Sequence, residues 1–145
     1  MSYTKIWVHC VWTTKYRKPL LKKEIRNKIL DHISENAKSK GIYIVCIGGF
    51  EDHLHCLICL KREQNIADVM QKIKGESSYW INKNKLTALK FSWQDDYFAV
   101  SIGESQLGNL RKYIKNQEKH HRKKTLSEEY NQFIDKYKFE KVKMG

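Results

Sequence analysis

The chain has 145 residues, 41% of them hydrophobic and 12% aromatic, which suits one domain with a real core and excludes wholesale disorder. Its 28 lysines and arginines outweigh 16 acidic residues, a net charge of +12 that favours a polyanionic partner through counterion release. No apolar run approaches the ~18–20 residues of a membrane span, no helix pairs a cationic face with a strongly apolar one, and residues 1–15 lack the form of a signal peptide. Nucleic acid rather than lipid is therefore the expected polyanion, and the cytoplasm the expected compartment.

In chain order, Tyr3 to Thr14 alternates, with Ile6, Val8, Cys10 and Trp12 on one face and Trp7, His9, Val11 and Thr13 on the other. Apolar residues on both sides predict a central strand. Lys15-Tyr16-Arg17-Lys18 follows as a basic loop ending at the only proline, Pro19. Such a loop is ordinarily just solvated, but an aromatic set among cations can hold a phosphate and stack a base. An i, i+4 stripe of Leu21, Ile25, Ile29, Ile33 and Ala37 predicts a helix over residues 20–40, stopped by Gly41. Residues 42–47 form a second strand, which Gly48-Gly49-Phe50-Glu51-Asp52 turns back into a short apolar strand ending at Leu60.

That strand carries His53-Leu54-His55. Alternation sends both imidazoles to one face, roughly 7 Å apart along the chain, where they can lean onto one metal ion. A single histidine beside an apolar run is usually a satisfied core residue. Two on one face of an interior strand bring several ring nitrogens that need partners.

Ile66, Val69, Met70, Ile73, Ser77, Trp80 and Ile81 follow a helical period over residues 66–83, with Gly75 where something approaches the backbone. Phe91 to Tyr97 reads as aromatic and turn-rich, and Tyr97 to Ile102 as the fourth strand. Gly103 breaks the strand, and Ser105 caps a helix over residues 106–122. Thr125-Leu126-Ser127-Glu128 is a capping box for a last helix over residues 126–137, before a polar tail. Cys10, Cys46, Cys56 and Cys59 all fall within strands, where a three-residue offset points Cys56 and Cys59 apart, so they read as reduced core thiols.

The order β-α-β-β-α-β predicts an α+β, ferredoxin-like antiparallel sheet with added C-terminal helices, all in one domain spanning residues 1–145. Its core covers about 3–102. Right-handed crossovers put the first and third strands side by side at the centre, with the histidine pair on a middle strand.

On the third helix, Tyr113 and Gln117 are four apart and share a face, with His120 and His121 near the same stripe. Taken together, Trp12-Thr13-Thr14-Lys15-Tyr16-Arg17, Glu51-Asp52-His53-Leu54-His55, Lys72-Ile73-Lys74-Gly75 with Ser77-Ser78, and Tyr113-Ile114 with Gln117 resemble one known family. It is the single-tyrosine, His-hydrophobic-His transposases of the smallest bacterial and archaeal insertion sequences, including the related REP-associated tyrosine transposases. The order and spacing agree over nearly the whole chain. The resemblance implies cleavage and rejoining of single-stranded DNA at hairpin-marked ends. It implies Tyr113 as the nucleophile forming a 5′-phosphotyrosine, and His53, His55 and Gln117 as ligands of Mg²⁺ or Mn²⁺. It further implies a homodimer in which the tyrosine helix of one subunit completes the histidine site of the other, although related domesticated enzymes can be monomeric. Lys15, Arg17, Lys74 and Arg122 are the expected phosphate contacts. The alternatives are a ferredoxin-like RNA- or single-strand-binding module without catalysis, and a metal nuclease that uses water.

Overall fold

The computed structural model describes residues 1–117 together with 128 and 129. Strands β1 (Ile6–Thr14), β2 (Tyr43–Gly49), β3 (His53–Leu60) and β4 (Trp93–Ile102) form one sheet in the order β2-β3-β1-β4, with every neighbouring pair antiparallel. Helices α1 (Lys23–Ser39) and α2 (Ile66–Lys83) are the two crossovers, and α3 (Leu107–Lys115) follows β4. This is the expected ferredoxin-like α+β sheet, with β3 beside β1 at its centre.

Alternation decides which residues meet which helices. Val8, Cys10 and Trp12 of β1 and Leu54, Cys56 and Ile58 of β3 bury themselves with Ile29 and Ile33 of α1 and Met70 and Ile73 of α2. A second, smaller cluster on the other face joins Leu57 to Cys46 and to Ile114 of α3, with Trp7, Val45 and Tyr113 around it. The register of β2 on β3 shifts between Ile44 and Cys46. That irregularity lets the consecutive Val45 and Cys46 both serve the α3 cluster, against simple alternation.

α2 begins where Asn65 accepts a hydrogen bond from the Asp68 amide at 2.9 Å, and its bounds are those that the periodicity predicts. Other boundaries differ. β1 starts at Ile6 and α1 at Lys23. Glu104–Gln106 form a short 3-10 turn before α3, and the Gly103 amide donates to Gln106 Oε1 at 3.2 Å. β4 begins at Trp93, inside the stretch expected to be turn. Two anchors hold that start flat against α2: Trp93 Nε1 donates to Ser77 Oγ at 2.9 Å, and Lys74 Nζ donates to the carbonyls of Gln94 and Asp95 at 2.6 and 2.8 Å.

Gly48 and Gly49 lie within β2 rather than in the turn. A Cβ on Gly48 would stand 2.3 Å from the Ile114 carbonyl oxygen, and one on Gly49 2.4 Å from that of His53. Both are glycine because α3 and the hairpin approach the strand too closely for a side chain. Gly75 differs: a Cβ there would meet nothing within 4 Å, and the residue lines an open cavity of about 440 Å³ between α2 and β4. α3 ends at Lys115 with Asn116 as its C-cap, short of the expected bound at 122, and residues 118–122 lie outside the described residues. Of the last helix expected over 126–137, residues 128 and 129 alone are described, and both are helical.

Candidate metal and tyrosine site

His53 and His55 leave the same face of β3 and are fully buried, with ring centroids 5.0 Å apart. The two neighbouring strands and α3 fix their surroundings. Opposite them on β1 stand Thr13 and Val11. Gly48 lies opposite His55 on β2, and its missing side chain lets α3 descend to the pair.

Each imidazole is oriented by a partner behind it. His53 Nδ1 is 2.8 Å from Asp52 Oδ1; a carboxylate only accepts, so Nδ1 donates to it, an orientation that would leave the Nε2 lone pair of the neutral ring for an ion. His55 Nδ1 is 3.0 Å from Nε2 of His9, which is buried and stacked on it at 5.2 Å. For His55 Nε2 to offer its lone pair, Nδ1 must donate to His9, which then keeps its own proton on Nδ1.

Gln117 stands one turn beyond Tyr113 and is buried. Its amide nitrogen donates to the Tyr113 carbonyl at 3.1 Å, and its Oε1 lies 3.1 Å from His53 Nε2. Glu129 completes the group: Oε1 is 3.1 Å from His55 Nε2 and Oε2 is 3.5 Å from His53 Nε2. Burial pushes the Glu129 carboxyl up to about 7; His53 opposes this and Asp52 adds to it. The Tyr113 hydroxyl donates to Glu129, and its ring meets His55 edge-on at 5.4 Å.

The donor set fits a divalent cation. His53, His55 and Glu129 each offer a ligand atom, all within 4.8 Å of one another, and the Gln117 amide oxygen adds a fourth. Ligand atoms about 2.0–2.2 Å from one ion sit roughly 3–3.5 Å from each other. The Glu129 contacts to His55 and His53, at 3.1 and 3.5 Å, and the Gln117 contact to His53, at 3.1 Å, fall in that range, while the set as a whole spans up to 4.8 Å and would draw together on an ion. Two imidazoles with two oxygens suit ions between the hard and the soft extremes.

The expected residues His53, His55, Gln117 and Tyr113 thus converge within a single chain. Two further members, His9 and Glu129, are not among the residues the sequence singles out. His9 has a signal, since it shares a face with Val11 on the strand expected beside β3, but the register is needed to bring it to His55. Glu129 has none beyond lying next to a capping box. Of the expected phosphate contacts, Lys15 and Arg17 are exposed in the turn after β1, and Lys74 holds the carbonyls at the start of β4. Burial lowers the Lys74 pKa, while Asp95 and Asp96 act against the shift. Arg122 and His120 lie outside the described residues.

Residues 2–117 match the family model described as "Transposase IS200 like", and the chain belongs to this family of DNA-cleaving transposases. It is 27% identical over 115 residues to the ISDra2 transposase TnpA of Deinococcus radiodurans, covering 75% of this chain and 81% of that one. Two solved structures share the fold. One is a crystal structure from Deinococcus radiodurans R1 assigned as a transposase (TM-score 0.66, 23% identity, 80% of this chain and 93% of that one). The other is a REP-associated tyrosine transposase bound to a REP hairpin (TM-score 0.57, 20% identity, 79% and 67%). Among the described residues, no helix is long and apolar enough to cross a membrane.

Proposed function

We propose that this chain cleaves and rejoins single-stranded DNA at hairpin-marked ends, using Tyr113 as nucleophile and a divalent ion, Mg²⁺ or Mn²⁺, held by His53, His55, Gln117 and Glu129. The observation that carries the reading is the meeting of Tyr113 with three kinds of metal-ligating side chain in one buried site. A binding module would have no use for that convergence.

When bound, the ion would offset charge on the phosphate's non-bridging oxygens. The chain's own residues do the rest. Tyr113 Oη attacks phosphorus as the bond to the 3′ oxygen breaks, leaving a 5′-phosphotyrosine and a 3′-hydroxyl. The phenol has an ordinary pKa of about 10 and needs a proton acceptor. Glu129, which already takes its hydrogen bond, is that acceptor, and the proton it removes from the phenol passes on, directly or through water, to the departing 3′ oxygen, so the step is proton-neutral. Because the phosphotyrosine retains an ester, an incoming 3′-hydroxyl can reverse the step and rejoin strands without a nucleotide cofactor. Lys15, Arg17 and Arg122 contact phosphates; Lys74 would join them only by exchanging its carbonyl partners. The organism's cytoplasm is the proposed compartment.

The test is incubation of the full chain with hairpin-bearing single-stranded DNA and Mn²⁺, read on a denaturing gel for a covalent protein–DNA adduct. Tyr113→Phe should form none while binding the DNA as before. Normal cutting by that variant would instead mean a water-using nuclease. Mn²⁺ should raise the melting temperature of the wild type and much less that of Glu129→Gln, since a ligand bound to the folded state alone stabilises it.

The family resemblance implies a homodimer with shared sites, whereas here Tyr113 faces the histidines of its own chain. That geometry favours a site complete in one subunit. Mixing Tyr113→Phe with His53→Ala then restores no activity; recovery on mixing would mean that the tyrosine helix is exchanged between subunits of a dimer.

A further inference from the structure

The turn after β1 is tied to the metal site through its backbone. The Thr14 amide donates to the Asp52 carbonyl at 2.9 Å, and Thr14 Oγ1 donates to the Lys18 carbonyl at 2.7 Å. Asp52 immediately precedes His53, so the loop begins one residue from the ligands. On its other side the Lys15 amide donates to the Ser92 carbonyl at 3.0 Å, which sets the loop against the segment leading into β4. Between them lies a cleft of about 220 Å³.

Its lining is unusual. Lys15, Lys18 and Lys90 contribute three cations, and among the described residues no acidic side chain lines it. Two large side chains stand at its rim in water: Tyr16 is 76% exposed and Leu89 81%. Lys15 Nζ lies 5.6 Å over the Tyr16 ring. The backbone at Tyr16 is left-handed, with φ 60° and ψ 19°, and so is that of Arg17, with φ 54°. Bulky residues rarely adopt this region, and they keep it where surrounding structure enforces it, commonly at functional sites. In this conformation the Tyr16 ring stands exposed at the rim of the cleft.

We propose that this cleft takes one unpaired nucleotide of the DNA strand, next to the segment lying over His53 and His55, with its base against Tyr16 and Leu89 and its phosphate among Lys15, Lys18 and Lys90. The inference rests on the strand-cleavage reading above and adds where the flanking strand runs. An aromatic face accepts any base, so the subsite is sequence-tolerant and selects single strand over duplex.

The experiment uses the full chain without divalent ion, so that nothing is cut. Hairpins carrying single-stranded extensions, lengthened one nucleotide at a time on either side, are titrated by fluorescence anisotropy. Wild type should gain about ten-fold in affinity at one particular extension length, the contribution expected of one stacked base. Tyr16→Ala should lose that step while binding the unextended hairpin like wild type, and Tyr16→Trp should keep it. Lys18→Ala with Lys90→Ala should reduce the salt slope on the extended strand by about 0.7 for every phosphate no longer neutralised. A Tyr16→Ala variant that keeps the step, or that loses affinity equally for the bare hairpin, overturns the subsite; so does a wild type with no step on either side. The strand-cleavage reading fails differently, by absence of a Tyr113 adduct when Mn²⁺ is added.

Discussion

His9 and Cys10 are adjacent in sequence and face opposite sides of one sheet. Cys10 lies directly across from Cys56 and sinks with Trp12, Leu54 and Ile58 beneath α1 and α2. His9 reaches His55 on the side where His53, Gln117, Glu129 and Tyr113 gather. The first face is dry and its cohesion is non-directional, so its residues need only be apolar and of the right volume. The second is equally buried, but its members are held by directed contacts whose loss leaves a polar atom stranded. Alternation along β1 and β3 thus separates stability from chemistry. Substitutions should sort by face: fold is lost from one, activity from the other.

The largest effect expected is at Tyr113. Tyr113→Phe removes one hydroxyl from the second face and should lower strand cleavage on the order of 10⁴-fold or more, as deletion of a nucleophile does. Circular dichroism melting should change little, since the ring still packs beside Leu57 and Ile114. The counterpart is Trp12→Ala on the dry face. Emptying that fully buried site should cost about 3–5 kcal/mol and lower the melting temperature by roughly 10 °C. Any protein still folded should keep near-normal cleavage at low temperature. A stable Trp12→Ala protein that had lost its chemistry would break the separation.

Gly48, opposite His55 and against α3, tests the second face by packing alone and so sharpens the comparison. Its added Cβ would meet the Ile114 carbonyl oxygen at 2.3 Å, and backbone cannot rotate away as a side chain can. Gly48→Ala should therefore push α3 outward, carrying Tyr113 and Gln117 with it. An ångström of misplacement is enough to reduce activity about 100-fold. Overpacking should cost about 1–3 kcal/mol, less than the Trp12 cavity. Activity and metal-induced stabilisation should fall together, because α3 carries the phenol and leads within two residues of its end to Gln117, the proposed amide ligand.

The dry face is the more legible in the sequence. Its period of two in β1 and of 3.6 in α1 and α2 is set by burial alone, and the adjacency of β1 and β3 follows from hairpin and crossover rules. The site is legible where its residues are local: His53 and His55 two apart on a strand, Tyr113 and Gln117 four apart on a helix. It is not legible where tertiary register or long-range return of the chain decides. His9 joins through a diagonal across two strands, and Glu129 from beyond the described part of the third helix. The start of β4 reads as turn because Gln94-Asp95-Asp96 lacks strand character; side chains of α2 at Ser77 and Lys74 supply what local propensity does not. Gly48-Gly49 reads as punctuation because the approach of α3 to β2 leaves no trace in β2 itself.

The smallest expected effect is chemical, and it uses the four thiols as reporters of the two faces. Burial pushes the Cys10 thiol up to about 12 and Cys56 well above its ordinary value, and both sit on the dry face. At pH 8 a group of pKa about 12 is ionised on the order of 10⁻⁴, and only the thiolate alkylates. Cys46, against α3, is raised by burial and lowered in part by Arg111 and Lys115, and Cys59 is only half-buried near the end of β3. Iodoacetamide on the native protein should therefore modify Cys59 first, Cys46 slowly, and Cys10 and Cys56 only as fast as the whole domain unfolds. Peptide mass spectrometry over time reads the order directly. If Cys10 or Cys56 reacted alongside Cys59 under native conditions, the helices would be lifting from the sheet without global unfolding. The face assigned to stability would then be the mobile one.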